Sequence, residues 1–127
     1  MSFIEMPGLT DAQEAAIAPD GRYNVQVTKA TWIEEKNYVQ IILAFDTEEN
    51  YADIFHIMSL PKDDDEDKTR EFKNLLAKRF LAQFNLDIAD GIDTELMLGA
   101  TAESAVKKEE YNGNWKNTLV LDQLASE

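Results

Sequence analysis

Between Tyr23 and Leu60 apolar and polar residues largely alternate, the spacing of half-buried strands. Tyr23, Val25 and Val27 interleave with Asn24, Gln26 and Thr28. The pattern continues through Ala30, Trp32 and Ile33, and a shift of phase near Lys29 predicts a bulge. After the polar turn Glu34-Glu35-Lys36-Asn37, a second strand sets Val39, Ile41, Leu43 and Phe45 on one face. Tyr38, Gln40, Ile42 and Ala44 take the other face. Asp46 to Asn50 is an acidic turn. A third strand from about Ala52 to Leu60 is apolar on both faces and ends at Pro61.

The period then changes. Phe72, Leu75, Leu76, Phe80 and Phe84 recur at helical spacing up to Asn85, with Lys68, Arg70, Lys73 and Lys78 marking the solvated side. The preceding loop, Lys62 to Asp67, offers aspartates as caps and as partners for the helix's positive end. Residues 87–97 read as a connector with a helical turn near Asp93. Leu98 to Lys108 predicts a fourth strand with Ala100, Ala102 and Val106 inward. Asn112-Gly113 is a strong hairpin signal, because both positions tolerate positive φ, and a fifth strand runs from about Trp115 to Leu121.

Three strands, a helix and a two-stranded hairpin make an all-β fold with one main helix. The order matches the five-stranded Greek-key OB-fold barrel, in which a helix lies between strands 3 and 4. An α+β roll and an SH3-like barrel compete with it. Residues 21–122 form this domain, and 123–127 are a short C-terminal end. Residues 1–20 precede it as a leader arm. There Thr10 and Gln13 have capping-box spacing, which allows a short helix from Asp11 to about Ile17 before Pro19 stops it.

Composition narrows the chemistry. With no cysteine among 127 residues, disulfide scaffolds, cysteine-ligated zinc and thiol catalysis are excluded. That fits a reducing cytoplasm, as does the lack of a secretory pattern at the start. No apolar run is long enough to cross a bilayer. The sole histidine, His56, falls inside a strand, and no nucleophile elbow, Walker loop or dinucleotide fingerprint occurs. Asp63-Asp64-Asp65-Glu66-Asp67 has the look of a calcium loop. Lys68 stands where such a loop needs glycine, and Asn74 replaces its last carboxylate. A binding module with no enzyme activity, cofactor or metal is the expectation.

The net charge of −13 argues against non-specific contact with nucleic acid or anionic membrane. Its distribution softens that objection. Residues 1–21 carry −4 and 46–67 carry −8, whereas 22–45 carry +1 and 68–86 carry +4.

OB barrels bind single strands on the face of strands 2 and 3, flanked by the first and last hairpins. Aromatic side chains stack on bases there while cations meet phosphates. Trp32, Lys36 and Tyr38 lie around the first hairpin. Lys107, Lys108, Tyr111, Trp115 and Lys116 lie around the last. Burying Val39, Ile41, Leu43 and Phe45 turns Tyr38, Gln40 and Ile42 outward. Burying Ile54, Met58 and Leu60 takes His56 inward with them and turns Phe55 and Ile57 outward. Ile42, Phe55 and Ile57 thus make an apolar platform beside Tyr38. Its cover is either stacked bases, the leader's Phe3, Ile4, Met6 and Leu9, or a second subunit in a homodimer.

Gly21-Arg22-Tyr23-Asn24-Val25-Gln26-Val27-Thr28-Lys29-Ala30 resembles the opening strand of small OB-fold proteins from bacteriophage replication and recombination modules. Leu98-Gly99-Ala100 and Glu110-Tyr111-Asn112-Gly113-Asn114-Trp115 echo their later strands, so the likeness spans roughly residues 19–121 in layout. Those proteins bind single-stranded DNA, are often acidic overall, and many end in an acidic tail that recruits partner proteins. The resemblance implies sequence-independent binding of single-stranded DNA in phage replication or recombination, in the host cytoplasm, with replication or recombination proteins as further partners. No acidic tail follows Leu121 in this sequence, which puts tail-mediated recruitment in doubt. Stacking on Trp32, Tyr38, Phe55 or Trp115 is expected, with Lys36, Lys107 and Lys116 near phosphates and Gln40 and Tyr111 beside them. The excess of carboxylates supports a different reading, an acidic protein-interaction module or DNA-mimicking inhibitor. A carbohydrate-binding or structural virion role is singled out by no residue.

Overall fold

A computed structural model describes residues 2–12, 14–88 and 91–124. The alternating segments form β1 (Gly21–Ile33), β2 (Tyr38–Phe45) and β3 (Ile54–Ser59). The helix α1 (Asp67–Gln83) and a single turn α2 (Thr94–Met97) follow, and then β4 (Thr101–Tyr111) and β5 (Asn114–Val120). The Asp93 carboxylate accepts the Glu95 N–H at 2.9 Å and caps α2. Asn112 and Gly113 take φ of 50° and 80°, which lets the β4–β5 hairpin turn tightly. Strand β4 starts later than Leu98, because Gly99 sits at φ 82° and its N–H bonds to Val27 outside any ladder.

One antiparallel sheet runs in the order β3-β2-β1-β4-β5. Its centre is the long β1, whose first half pairs with β4 and whose second half pairs with β2. The expected bulge is present. Register slips between Val27↔Leu43 and Lys29↔Ile42, and the Thr28 hydroxyl donates to the Ile42 carbonyl at 3.2 Å. The edge strands β3 and β5 approach each other with Cα atoms within 8 Å. They form no ladder among the described residues, so the sheet curls without closing into a barrel.

The concave side of this curl is the core. Val25, Val27, Val39, Ile41, Leu43, Ile54, Met58, Val106 and Leu119 supply it from the sheet. Helix α1 adds Phe80 and Leu81, its C-cap adds Phe84, and α2 adds Met97. The helix buries only its C-terminal half fully. Phe72, expected inward, is 57% exposed, and Leu75 and Leu76 are half-buried.

Lys73 is likewise not a solvated charge: its ammonium meets Asp65 at 2.8 Å, and Arg70 donates to the carbonyls of Lys62 and Asp63. These two cations bind the acidic loop to the helix, through one carboxylate, that of Asp65, and two backbone carbonyls. No side chain caps the helix at Glu66.

The leader differs from expectation. Leu9–Asp11 forms a single 3₁₀ turn after Gly8, and no helix reaches Ile17. Gln13, half of the expected capping box, lies outside the described residues, as do 125–127 of the C-terminal end. Backbone pairing wins over the helix. Ala16 donates to the Asn50 carbonyl at 3.0 Å and accepts from the Ala52 N–H at 2.9 Å, a short parallel bridge beside Tyr51. Two residues on, Ala18 is fully buried, and the Asn117 amide grips its backbone from both sides. Ala18 N–H donates to Asn117 Oδ1 at 2.9 Å, and Asn117 Nδ2 donates to the Ala18 carbonyl at 2.8 Å. Tyr23, Phe45 and Tyr51 close this end with edge-to-face contacts 5.2 to 5.9 Å apart.

Candidate nucleic-acid interface

Residues directly opposite one another in an antiparallel pair share a face. Applied across β1, β2 and β3, the register puts three rows on the convex side: Lys29, Ile42, Phe55; then Thr31, Gln40, Ile57; then Ile33, Tyr38, Ser59. Buried Val39, Ile41 and Leu43 alternate with these residues on β2, which leaves the rows no choice of face. Phe55 is 62% and Ile57 45% exposed, while Tyr38, Gln40, Ile42 and Ile33 are half-buried by their neighbours. The platform expected of Ile42, Phe55, Ile57 and Tyr38 is therefore formed and open to solvent. The leader leaves it uncovered, since Phe3, Ile4, Met6 and Leu9 are themselves 59–94% exposed.

Charge on this platform departs from that of the chain. The nine row positions contain no carboxylate, and their one charge is Lys29. Lys36 stands at the end of the β1–β2 connection, a 3₁₀ turn that closes through Asn37 at φ 56°. Asn37 Nδ2 donates to the carbonyls of Leu60 and Pro61, which fixes the turn against the end of β3. Neither Lys29 nor Lys36 has a carboxylate within ion-pair distance among the described residues. Each ammonium is available to an anion from solution.

Trp32 does not join Tyr38. It lies opposite Val39 and so on the inner side, at the open end of the sheet, 42% exposed. There it lines a cleft of about 1220 Å³ with Leu60, Ala77, Leu81 and Ile92, between the strand ends, α1 and the α2 region. The cause is the Thr28 bulge, which inverts the facing of every later residue of β1.

The last hairpin splits in the same way. Lys107, Lys116 and Tyr111 fall on the convex side of the sheet, the Lys116 ammonium 5.1 Å from the Tyr111 ring centre. Trp115 and Lys108 fall on the other side, the Lys108 ammonium 4.7 Å from the Trp115 ring. Between hairpin and platform the convex side carries Arg22, held by Glu103 at 2.9 Å and Asp122 at 3.0 Å. Asp122 stays below the usual carboxylate range because of that guanidinium. No hydrogen bond or ion pair joins the two aromatic clusters among the described residues. Of the nine expected contacts, Tyr38, Gln40 and Phe55 form one surface, with Lys36 at its end. Lys107, Tyr111 and Lys116 lie on the same side over the other half of the sheet. Trp32 and Trp115 lie on the opposite side.

His56 is an inner residue, opposite Ile41 and stacked on Phe80 at 5.5 Å. Burial lowers its pKa from 6.5 to about 4. It borders a second cleft of about 520 Å³ at the β3–β5 seam, where Arg79 Nε is buried without a hydrogen-bond partner. Reading the sequence missed Lys29 as a site residue. Its signal was present: the one-residue slip from Val27 to Ala30 places Lys29 on the face of Ile42. Compared with known proteins, the chain matches no protein-family model and no curated protein.

Proposed function

We propose that this protein binds single-stranded DNA, with little sequence preference, on the convex face of β1, β2 and β3. The observation that carries this reading is the carboxylate-free platform in a chain of net charge −13, where Tyr38 and Phe55 share a face with Lys29, and Lys36 stands at the end of that face. Rings offer any base a stacking surface, and ammonium groups on the border meet the phosphates between bases. Such contacts read no base edges and tolerate every sequence. The strand order, the helix between β3 and β4 and the near approach of β3 to β5 support an OB-type barrel as the architecture behind the face. The resemblance to phage OB-fold proteins supports a role in phage DNA replication or recombination. On this reading the chain is a binding module and not an enzyme, and Tyr38 and Phe55 are its stacking residues.

Titration of a fluorescent oligothymidylate at low and moderate salt, with duplex DNA as control, tests the proposal. Preference for the single strand that weakens with salt is the expected outcome. Absence of binding at low salt overturns it. That result favours the acidic interaction module, whose own support is the −8 carried by residues 46–67.

A further inference from the structure

The leader and the platform are two apolar surfaces of one chain, and neither is covered. Phe3 is 94% exposed and Ile4 78%, with Met6 and Leu9 both at 59%. Four large apolar side chains this open within seven residues mark a contact surface. The root of the arm is nonetheless fixed. Ala16 is paired to Asn50 and Ala52, and Ala18 is clamped by Asn117. The bridge Ala16↔Tyr51 holds this root beside the loop between β2 and β3. With its root held there, the arm's apolar side chains still leave Phe55 and Ile57 of the same chain uncovered.

We infer that residues 2–12 of one copy dock on the platform of a second copy, in a reciprocal arm exchange. The chemistry is complementary. Phe3, Ile4 and Met6 meet Phe55, Ile57 and Ile42, while Glu5 and Asp11 face the unpaired Lys29 and Lys36. The 13 steps from Ala16 to Phe3 span up to about 43 Å when extended, less the turn at Leu9–Asp11. A two-fold arrangement satisfies both arms and both platforms at once and leaves no open end to propagate. The exchange stands apart from the DNA reading. One consequence rests on that reading: arm and DNA compete, because the arm brings a ring and two carboxylates to the same face.

The chain has no cysteine, so an introduced thiol is unique. Protein carrying Ile4→Cys is mixed with protein carrying Ile57→Cys and mildly oxidised. Sedimentation of the unmodified chain over a range of concentrations accompanies this, alongside a variant combining Phe3→Ser and Ile4→Ser. A reversible dimer is expected, with a Kd at least tenfold weaker in the serine variant, and mixed disulfides in excess of like-with-like ones. Since both serines replace exposed residues, the fold is retained, as circular dichroism will verify. A monomer at every concentration, a dimer indifferent to the serine substitutions, or disulfides without mixed excess overturns the exchange. An intramolecular disulfide in the Ile4→Cys, Ile57→Cys double variant that persists on dilution overturns it in favour of docking within one chain. Oligothymidylate binding measured on the same samples separates the two proposals. DNA binding without a dimer refutes only the exchange, and a dimer without DNA binding refutes only the DNA reading. If both hold, the serine variant binds DNA more tightly than the unmodified chain.

Discussion

Tyr38 and Trp32 are six positions apart on one hairpin, yet the bulge at Thr28 sends them to opposite sides of the sheet. That separation gives the sharpest test available at single residues. Tyr38→Ala or Phe55→Ala should weaken oligothymidylate binding by about 1–3 kcal/mol, the usual loss when one stacking ring is removed. Trp32→Ala should leave the affinity unchanged, and a loss equal to that of Tyr38→Ala would move the strand to the inner cleft. His56 makes a different prediction. Burial among Ile41 and Phe80 lowers its folded pKa from 6.5 to about 4, so the unfolded chain takes up the proton first. Stability from this group is intact above pH 6.5 and is lost as pH falls towards about 4, by about 3 kcal/mol in total. Urea unfolding between pH 7.5 and 4.5 checks this against His56→Leu, which should lack that part of the pH dependence. The facing of β2 and β3 was legible in the sequence, because strict alternation with buried Val39, Ile41 and Leu43 fixes it. The facing of Trp32 was not: a bulge leaves only a one-residue slip in the pattern, and only the strand pairing shows that every later residue of β1 is inverted.

Strands and helix follow from local patterns, and their sequence positions were recovered within a few residues. What local pattern missed is pairing over long distance. The leader's capping-box spacing predicts a helix, but Ala16 has better partners in Asn50 and Ala52, far along the chain. Phe72 continues the helical spacing of Phe80 and Phe84, yet α1 meets the sheet mainly through its later turns, and Phe72 remains outside. Closure of the sheet is likewise a property of whole strands, and the β3–β5 seam is open. The clamp at Ala18 tests the strength of such distant pairing. Asn117→Leu strips partners from a buried N–H and a buried carbonyl, at a cost of about 2–4 kcal/mol. Denaturant unfolding measures that loss. Hydrogen exchange at the Ala18 amide should rise with it, and protection that persists would show that the clamp contributes little.

At the scale of the molecule, net charge of −13 and a carboxylate-free platform act against each other. Repulsion from the acidic surface opposes approach of a polyanion from afar, while Lys29 and Lys36 act only at contact. The salt dependence of DNA binding should therefore be shallow, reflecting about two phosphates, and replacing both lysines with alanine should nearly abolish it. A steep slope would point to Lys107 and Lys116 as additional phosphate contacts, and to a strand path that crosses to the hairpin. The Asn117 clamp has a further consequence, in time. Ala18 and Asn117 are separated by 99 positions, so nearly the whole chain must emerge during synthesis before the root of the arm finds its anchor. Contacts of such high sequence separation are costly to close early. The Ala18 amide should thus gain protection late during refolding, after the Ala16 pairing and only on a sheet whose final strand is already in place.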